Sequence, residues 1–511
     1  MPRALLSVYD KARLEDLARG LAELGFELVS SGGTAAHLAG HGIPVATVES
    51  VTGAPELLGG RVKTLHPRIH AGILARRDRD DDTAALAEQG IEPFDLVCVN
   101  LYPFTSVAGR RDTPESEIVE MIDVGGPSML RAAAKNFAHV AVLTSPSQYA
   151  LVLGELRSIG AVGAETRRRL AAEAFATSAA YEAAIAHWFG SNTAFPDQLT
   201  LTFTKVADLS YGENPHQRAA YYVEPTGRRH LLSRVEQLGG KELSYNNLAD
   251  LEGARRVARE LDEPAAVIVK HANPCGVAVA DTIDEAWERA LAADPVSAFG
   301  CVAVLNRPVE AALGRRIAEH FVEVLFAPGY DDGALEALRS KKALRILADG
   351  ERRSETPGER DFKRVLGGML VQERDTDPPD RDAMRVVCGS VDDAQWPDLL
   401  FAWRVCRHVS SNAIVIAHDR QTIGIGAGQM SRVDAVRIAV EKARSLGHDL
   451  RGSVLASDAF FPFADGAQLA LDAGVAAIVQ PGGSRRDAEV VSAVDAAGAA
   501  MILTGRRHFR H

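Results

Sequence analysis

Cysteine is scarce in this chain of 511 residues, and the cysteines that it has are far apart. An odd number without any C-x-x-C pair argues against a disulfide framework and against a zinc site. The five are Cys98, Cys275, Cys301, Cys388 and Cys406. No stretch approaches the ~20 consecutive apolar residues of a membrane span, and the first residues lack the apolar core of a signal peptide. We therefore expect a cytoplasmic protein with reduced thiols and no membrane partner.

An excess of positive charge is also missing. The formal net charge is -11, so attraction of the whole protein to nucleic acid is not expected. A local basic pocket for a phosphate is compatible with this balance, because it needs only a few residues. A hydrophobic content of 46% with 24% charged residues is typical of a soluble globular protein. The length allows about two to four domains.

The N-terminal part alternates short apolar runs with helical patterns. It predicts strands at 4–8, 27–30, 95–100 and 140–143, and helices at 14–24 and 165–188. This alternation indicates a mostly parallel sheet covered by helices on both faces. Turn-forming residues at 190–196 end the pattern, so we predict one domain at 1–192 and a second at 193–511.

The second region is again mixed α/β. Strand-like runs lie at 265–269, 301–305, 413–417, 422–425 and 476–479. Two stretches look faintly alike, DPVSAFG (294–300) with APGY (327–330), and SDAFFPF (457–463) with QPGG (480–483). We interpret this similarity as a weak sign of an internal duplication.

Two polar segments of the N-terminal region suggest phosphate binding. The segment SSGGT, from residue 30 to 34, follows a strand and opens a helix, where glycines and free N–H groups can approach an anion. A plain turn with a helix cap explains it equally well. Arg61, Lys63 and Thr64 follow a Gly pair and form a candidate phosphate clamp, although a basic surface loop fits Arg-x-Lys taken alone.

Two further segments lie where ligands bind in open α/β sheets. Asn100 and Tyr102 follow the C-terminal end of a buried strand. Asp123 precedes a helix whose first position suits Pro127, which leaves nearby N–H groups free; a helix cap is the other interpretation of Asp123. Lys135 lies about 12 Å of helix rise past Pro127, so reaching the same site is hard for it.

Lys270 and His271 are the candidate acid–base pair of the second region, since they follow a buried strand. They would face opposite sides of a regular strand, so the chain must leave β geometry there, as Asn273-Pro274 suggests. Taken alone, His271 is more typical of a structural histidine. The Pro-Cys pair invites comparison with zinc deaminases, but the second cysteine and the H-x-E motif are missing, so we predict no zinc.

The chain resembles the bifunctional AICAR transformylase/IMP cyclohydrolase family over nearly its whole length. The resemblance rests on SVYDK, SGGT, GRVKTLHP, NLYPF, IDVGG and RAAAKN in the family's order, and then on KHANPCG and SSNA. It implies a methylglyoxal-synthase-like parallel-sheet domain followed by a duplicated cytidine-deaminase-like α/β domain. It also implies the last two steps of IMP synthesis: formyl transfer from 10-formyltetrahydrofolate to AICAR, then closure of formyl-AICAR to IMP with loss of water.

The resemblance assigns roles residue by residue. It gives ring closure to Lys63, Tyr102, Asp123 and Lys135, and formyl transfer to Lys270, His271 and Asn412. First-domain nucleotide contacts match Ser7, Lys11, Ser31, Gly32, Thr34, Arg61, Thr64 and Asn100, with the N–H groups of Gly125 and Gly126. Second-domain binding positions match Tyr211, Gly212, Gly300, Glu323, Gln429, Arg432, Phe460, Asp465 and Arg507.

The sequence departs from the family pattern in three places. Ser210 stands where the family has an arginine before Tyr-Gly, which removes an expected phosphate-binding cation. DKARL replaces DKTGL around Lys11, and the segment 366–370 lacks an arginine before its Gly pair. Ser210 raises the alternative of a cyclohydrolase with a weakened transformylase, which the retention of Lys270 and His271 beside the ring-closure residues disfavours.

The resemblance also bears on partners and on a second alternative. The family builds its transformylase sites across a homodimer interface, so we expect a homodimer, with AICAR, formyl-AICAR, IMP and folate as ligands. Dependence on a monovalent cation stays open. A nucleotide sensor without enzymatic activity is disfavoured, because a binding module needs none of the proton-transfer groups retained here.

Overall fold

The structure is a computed structural model that describes residues 1–110, 112–190, 193–224, 235–350, 359–377 and 380–511. The chain divides into two compact units, the first comprising Met1–Thr204 and the second beginning at Lys205. The domain boundary placed at residue 192 from the sequence falls outside the described residues and stays a prediction.

The first unit contains one parallel sheet of five described strands, in the order β3-β2-β1-β4-β5. Its elements are β1 (Arg3–Val8), α1 (Leu14–Glu23), β2 (Glu27–Ser30), α2 (Gly32–Gly40), β3 (Ala46–Thr47), α3 (Val48–Thr52), α4 (Pro67–Leu74), α5 (Asp80–Glu88), β4 (Leu96–Asn100), α6 (Phe104–Ala108), α7 (Glu115–Glu120), α8 (Gly125–Lys135), β5 (Ala141–Leu143), α9 (Tyr149–Ile159) and α10 (Ala164–Phe189). Consecutive β1 residues Ala4, Leu5 and Leu6 are all 0% exposed. Successive side chains of a strand point to opposite faces, so both faces are covered and the predicted parallel sheet is confirmed.

Strand order creates a crevice in this sheet. The chain leaves β1 toward β2 and β3 on one side, and then returns to β4 and β5 on the other. The loops after β1 and β4 therefore diverge at the C-terminal edge of the sheet. Such a switch point is where open α/β sheets bind ligands.

The second unit is built on one mixed sheet of twelve described strands, with two separate two-stranded sheets, β6–β7 and β14–β15. Its elements are β6 (Thr204–Leu209), β7 (Ala219–Val223), β8 (Glu236–Gly239), α11 (Tyr245–Arg259), β9 (Ala265–Lys270), β10 (Asn273–Val279), α12 (Ile283–Ala293), β11 (Cys301–Leu305), α13 (Ala311–Glu319), β12 (Val322–Ala327), α14 (Asp332–Arg339), β13 (Arg345–Ala348), β14 (Arg360–Val365), β15 (Gly368–Glu373), β16 (Arg385–Cys388), α15 (Trp396–Cys406), β17 (Ile414–His418), β18 (Gln421–Gly426), α16 (Arg432–Ser445), β19 (Val454–Ser457), α17 (Ala464–Ala473), β20 (Ala477–Gln480), α18 (Asp487–Ala496) and β21 (Ala500–Leu503).

The large sheet consists of two halves with the same topology. The first half has the strand order β8-β13-β12-β11-β9-β10, and the second has β16-β21-β20-β19-β17-β18. Corresponding strand pairs have the same direction in both halves, and helices intervene at the same points of the chain. The halves join where β10 pairs with β18. The predicted duplication is confirmed.

The sequence similarities reflect this duplication only in part. APGY (327–330) and QPGG (480–483) follow the corresponding strands β12 and β20. DPVSAFG (294–300), however, precedes β11, whereas SDAFFPF (457–463) follows β19. DPVSAFG and SDAFFPF therefore do not occupy equivalent positions in the two halves.

Glycines allow two helices to pack directly on the central strands. A Cβ on Gly276 of β10 would overlap the carbonyl oxygen of Ala290 in α12, and one on Gly426 of β18 would overlap that of Ala435 in α16. Backbone thus touches backbone on both sides of the β10–β18 junction, and no side chain fits between.

We expect Gly426→Ala to destabilise the second unit by about 3 kcal/mol, because the added methyl forces α16 away from β18. Chemical denaturation followed by far-UV circular dichroism measures the change. Gly329→Ala is the matched control, since nothing lies within 4 Å of the position its Cβ would take. Equal midpoints for the two variants would contradict the packing argument.

Candidate active sites

Asn100 joins the two diverging loops of the first unit. Its Oδ1 accepts hydrogen bonds from the backbone N–H groups of Tyr9 (2.6 Å) and Asp10 (3.0 Å), and its Nδ2 donates to the carbonyl of Asp10 (2.8 Å). One side chain at the end of β4 thus fixes the loop after β1. The crevice is preformed by this contact.

Three more predicted nucleotide contacts support the same edge of the sheet. The Thr34 hydroxyl is buried and exchanges hydrogen bonds with the N–H (3.2 Å) and C=O (2.9 Å) of Val8. The Lys11 ammonium donates to the carbonyls of Val8 (3.3 Å) and Tyr9 (3.2 Å). Ser7 is half-buried in β1. Thr34 and Lys11 therefore hold the backbone at the end of β1.

Lys63 lies over the N-terminus of α2. Gly32 has a φ of +49°, and a Cβ there would lie 3.1 Å from Lys63 Nζ. Glycine is required at this position both for the left-handed backbone and for the approach of the ammonium. Ser31 precedes Gly32 as the helix N-cap, but its hydroxyl does not cap the helix.

Asp123 and Tyr102 complete a cluster with Lys63. Burial raises the pKa of Asp123, while hydrogen bonds from the N–H groups of Gly126 and Tyr102 and the charge of Lys63 oppose the rise. Burial also raises the pKa of Tyr102, and the nearby Asp123 carboxylate adds to that effect. The structure thus brings three of the four predicted ring-closure residues together.

The glycine pair after Asp123 lets helix α8 approach the cluster. The helix begins at Gly125, so Pro127 is its third residue and the prediction that Pro127 occupies the first position was wrong. The Gly126 N–H donates to Asp123 Oδ1 at 2.8 Å, which satisfies an N–H that the first turn of a helix leaves free. A Cβ on Gly125 would lie 2.6 Å from Thr64 Oγ1.

Two predicted residues lie apart from this cluster. Lys135 is exposed at the last position of α8, ten residues and therefore about 15 Å from Gly125. Within the first unit it does not join Lys63 and Asp123. Arg61 is exposed and pairs with Glu120, its Nε lying 3.3 Å from Oε2.

Tyr181 is a residue that the motifs did not reveal. Its hydroxyl, on α10, accepts a hydrogen bond from the N–H of Asp123 (2.8 Å) and donates to the carbonyl of Met121 (2.7 Å). Burial raises the pKa of Tyr181 to about 12, so the hydroxyl stays protonated at neutral pH. A tyrosine in an Ala-rich helix 58 residues from Asp123 gives no sequence signal.

Lys270 is held at the end of β9 in the second unit. Its Nζ donates to the carbonyls of Phe299 (2.7 Å) and Gly300 (2.9 Å). Gly300 has a φ of +71°, and a Cβ on it would lie 3.1 Å from that Nζ. An ammonium has three donors, so one remains for a ligand.

His271 lies in an unusual turn between β9 and β10. His271 (φ +52°) and Ala272 (φ +60°) are both left-handed, as in a type I′ hairpin turn. For non-glycine residues this costs about 1–2 kcal/mol each. The chain leaves β geometry here as predicted, but Asn273 and Pro274 begin β10 instead of forming the turn, because a bulge before Gly276 accommodates the proline.

Asn412 is fixed by groups from the second half of the large sheet. Its Nδ2 donates to the carbonyl of Gln429 (2.9 Å), and its Oδ1 accepts from Arg432 (2.7 Å). The Arg432 guanidinium is buried and pairs with the fully buried Asp458 at 2.5 Å. In this structure Arg432 orients Asn412 and its charge is neutralised by Asp458.

A cavity of about 240 Å³ opens beside the candidate acid–base pair. Lys270, His271 and Asn273 line it from the first half of the sheet, and Gly424 and Ala427 line it from the second. The cavity therefore lies at the junction of the duplicated halves. Sites between structural elements, with a few convergent polar groups, are typical of ligand binding.

The remaining predicted binding residues do not line this cavity in the described part of the chain. Some are held by local contacts: the Gly212 N–H donates to the carbonyl of Gln217 (2.7 Å), and Glu323 accepts from Asn247 (3.1 Å). The Arg507 guanidinium lies 4.7 Å from the centre of the Phe509 ring. The others are Tyr211, Gly300, Gln429, Arg432, Phe460 and Asp465.

Metal-ligating side chains cluster elsewhere. Among the described residues, the group with suitable spacing is Glu15, His37 and His41, whose ligand atoms lie within 4.8 Å of one another. It lies near the C-terminal end of α2, whereas Ser31 lies at the N-terminal end.

Within the same described residues, no helix is long and apolar enough to span a membrane.

Comparison with known proteins finds two family models and several curated relatives for this chain. Residues 13–128 match the model of the MGS-like domain, and residues 133–442 match that of the AICARFT/IMPCHase bienzyme. Proteins called "Bifunctional purine biosynthesis protein PurH" from Sorangium cellulosum and Acidithiobacillus ferrooxidans are each 50% identical, over 100% of this chain and 99% of their own. A solved structure, "Crystal structure of ForH", is 42% identical over 37% of this chain and 99% of its own, with a TM-score of 0.34.

The two family models and the full-length relatives identify the chain as a bifunctional enzyme of purine biosynthesis. It belongs to the AICARFT/IMPCHase bienzyme family. Its two activities are AICAR transformylase and IMP cyclohydrolase, which confirms the prediction from the motifs.

We expect Tyr181→Phe to lower the turnover of ring closure about tenfold, because it leaves the Asp123 N–H unsatisfied at a cost of ~1–3 kcal/mol. Conversion of supplied formyl-AICAR to IMP measures the effect. Tyr149→Phe is the matched control, since this buried hydroxyl of the same unit contacts Cys98 Sγ at 3.5 Å. A folded Tyr181→Phe enzyme with full turnover would show that Tyr181 does not position Asp123.

Proposed function

We propose that the domain 1–192 closes the ring of formyl-AICAR and that the domain 193–511 transfers the formyl group to AICAR. The observation that carries this assignment is the placement of the candidate groups. Lys63, Tyr102 and Asp123 interact near the switch point of the first unit. Lys270 and His271 line a cavity in the second.

Formyl transfer uses His271 as a general base. As the 5-amino nitrogen of AICAR attacks the formyl carbon of 10-formyltetrahydrofolate, His271 accepts its proton. The bond from the formyl carbon to the folate nitrogen then breaks, and that nitrogen takes up the proton that His271 accepted, which gives formyl-AICAR and tetrahydrofolate. The remaining donors of Lys270 and Asn412 stabilise the oxyanion or help the folate nitrogen to leave.

Ring closure uses the cluster of the first unit. The carboxamide nitrogen attacks the formamide carbonyl, and water is lost. Asp123 orients or deprotonates the amide, and burial, which raises its pKa, makes it a stronger base than an exposed aspartate. Tyr102, whose pKa is also raised, is protonated at neutral pH and can supply a proton. Lys63 and the N–H of Gly125 stabilise the negative charge that develops on the formamide oxygen. The N–H of Gly126 does not take part, because it already donates to Asp123.

The ligands extend this assignment. The first-unit contacts named above bind the nucleotide of formyl-AICAR and IMP. Lys135, which the family resemblance assigns to ring closure, lies apart from Lys63 and Asp123 within the first unit, and its role in that reaction stays a prediction. The second-unit set from Tyr211 to Arg507 binds AICAR and 10-formyltetrahydrofolate, the co-substrate. The enzyme is cytoplasmic, needs no zinc and binds no nucleic acid; a monovalent cation is left open. Cys275, the residue that would correspond to a deaminase ligand, is not followed by the second cysteine that the deaminase motif requires.

A homodimer is the proposed assembly, with formyl transfer dependent on it. Light scattering coupled to gel filtration at assay concentration should give about twice the chain mass of 54.7 kDa. A monomer that transfers formyl groups at the full rate would refute the proposal.

We expect two single variants to separate the activities. His271→Ala should lower formyl transfer by ~10²–10⁴-fold through loss of the base, while conversion of supplied formyl-AICAR to IMP continues. Asp123→Ala should do the reverse and accumulate formyl-AICAR. The assay supplies AICAR and 10-formyltetrahydrofolate, and measures tetrahydrofolate, formyl-AICAR and IMP separately.

The wild-type enzyme is the positive control for this experiment, because it should form IMP together with a stoichiometric amount of tetrahydrofolate. If His271→Ala abolished both reactions in a folded protein, the assignment of the domains would fail. A wild-type enzyme that only closes the ring would support the weakened-transformylase alternative. It would point to Ser210, whose hydroxyl donates to the Leu243 carbonyl at 3.2 Å.

A further inference from the structure

The turn that carries His271 needs support from outside its own sequence. Two-residue turns of this type favour Asn-Gly, because both central residues require a positive φ. Here the central residues are His271 and Ala272, and neither is glycine. A left-handed histidine and alanine persist only where surrounding contacts over-determine the backbone.

Asp250 supplies such contacts from helix α11. Its carboxylate accepts hydrogen bonds from the backbone N–H groups of both His271 and Ala272, the latter at 2.6 Å. Burial raises the pKa of Asp250, and the two backbone donors oppose the rise. The carboxylate is therefore partly desolvated, and the turn provides its partners.

The other side of the turn is also held. Arg510 donates from Nη1 to the carbonyl of Ala272 at 3.0 Å, and to the carbonyl of His408. The backbone carbonyl of Arg510 accepts from the N–H of Ser411, the neighbour of Asn412. The turn is thus fixed through its N–H groups by Asp250, and through its carbonyl by a residue that also contacts the Asn412 segment.

The second half of the sheet repeats the aspartate. Between β17 and β18, Asp419 (φ +48°) and Arg420 (φ +53°) form the corresponding left-handed turn. Asp398, on the corresponding helix α15, accepts hydrogen bonds from their N–H groups at 2.8 Å and 2.6 Å. The aspartate is therefore part of the duplicated fold, but only the first copy holds a turn with a histidine at the cavity.

We propose that Asp250 is a positioning residue for formyl transfer, which fixes the turn so that His271 is presented to the cavity beside Lys270. This inference rests on the proposed role of His271 as the base. Asp250 acts through the backbone of the turn and takes no proton in the reaction. A small displacement of a catalytic group is enough to slow a reaction by about 10²-fold.

The test compares Asp250→Ala with Asp398→Ala in the full-length enzyme. Asp250→Ala should lower kcat of formyl transfer by ~10–100-fold and change KM for AICAR by less than about twofold, because positioning of the base affects the chemical step. Asp398→Ala removes the same contacts from the other copy of the turn, and should keep kcat within about twofold. The two turns lie at opposite ends of the β10–β18 pair, about 20 Å apart.

Two further variants separate positioning from general destabilisation. Asp250→Asn keeps one acceptor oxygen and should retain more activity than Asp250→Ala. Adding Ala272→Gly to Asp250→Ala should restore kcat at least about fivefold, since glycine adopts a positive φ without support. Ring closure of supplied formyl-AICAR, which uses the other unit, should stay unchanged in every variant.

Each outcome decides the proposal. If Asp250→Ala kept wild-type kcat, or if Asp398→Ala lost as much, Asp250 would not position His271. Failure of Ala272→Gly to restore activity would count against it as well. His271→Ala is assayed in parallel: if that variant transferred formyl groups normally, the proposed base itself would be wrong, whatever Asp250 did.

Discussion

The pairing of β10 with β18 is the contact on which the second unit depends. One backbone register, Ala278 opposite Gln421, joins two sheets of the same topology into one. The Thr422 hydroxyl reinforces the junction, since it accepts from the N–H of Val277 at 3.0 Å and donates to its carbonyl at 3.3 Å. Because the strands run antiparallel, the start of β10 lies near the end of β18. Lys270 and His271 of one half therefore reach the segment that carries Ala427 in the other.

A different constraint organises the first unit. Parallel strands place their carboxyl ends at one edge, and the order β3-β2-β1-β4-β5 opens a crevice there. Asn100 fixes its walls, and glycines allow charged groups to enter. Lys63 approaches over Gly32, and Asp123 approaches the helix that begins at Gly125. The candidate site results from backbone that can come unusually close to side chains.

The sequence was informative where structure is local. The apolar run 301–305 is strand β11, and the run 27–30 is strand β2. Motifs also indicated Lys63, Tyr102 and Asp123, which the fold brings together. The predicted positions of two prolines were wrong. Pro127 is the third residue of α8, where the first turn of a helix leaves the backbone N–H without a partner and so tolerates proline. Pro274 lies in β10 next to a bulge, which removes the need for its N–H in the sheet.

What could not be read from the sequence acts over long separations. Tyr181 binds the Asp123 segment across 58 residues, and Arg510 reaches Ala272 across 238. In each case the side chain contacts a backbone group of its partner, so the identity of the partner residue does not indicate the pair. The same holds for Asp250, whose partners are two N–H groups.

The continuous sheet has a consequence for how the second unit can exist at all. If the two halves were separated, β10 and β18, which are now inner strands, would each become an unpaired edge strand. Unpaired edges of this kind recruit other chains and promote aggregation. The duplicated halves are therefore bound to each other by the need to keep those edges covered, in addition to any advantage of sharing a cavity.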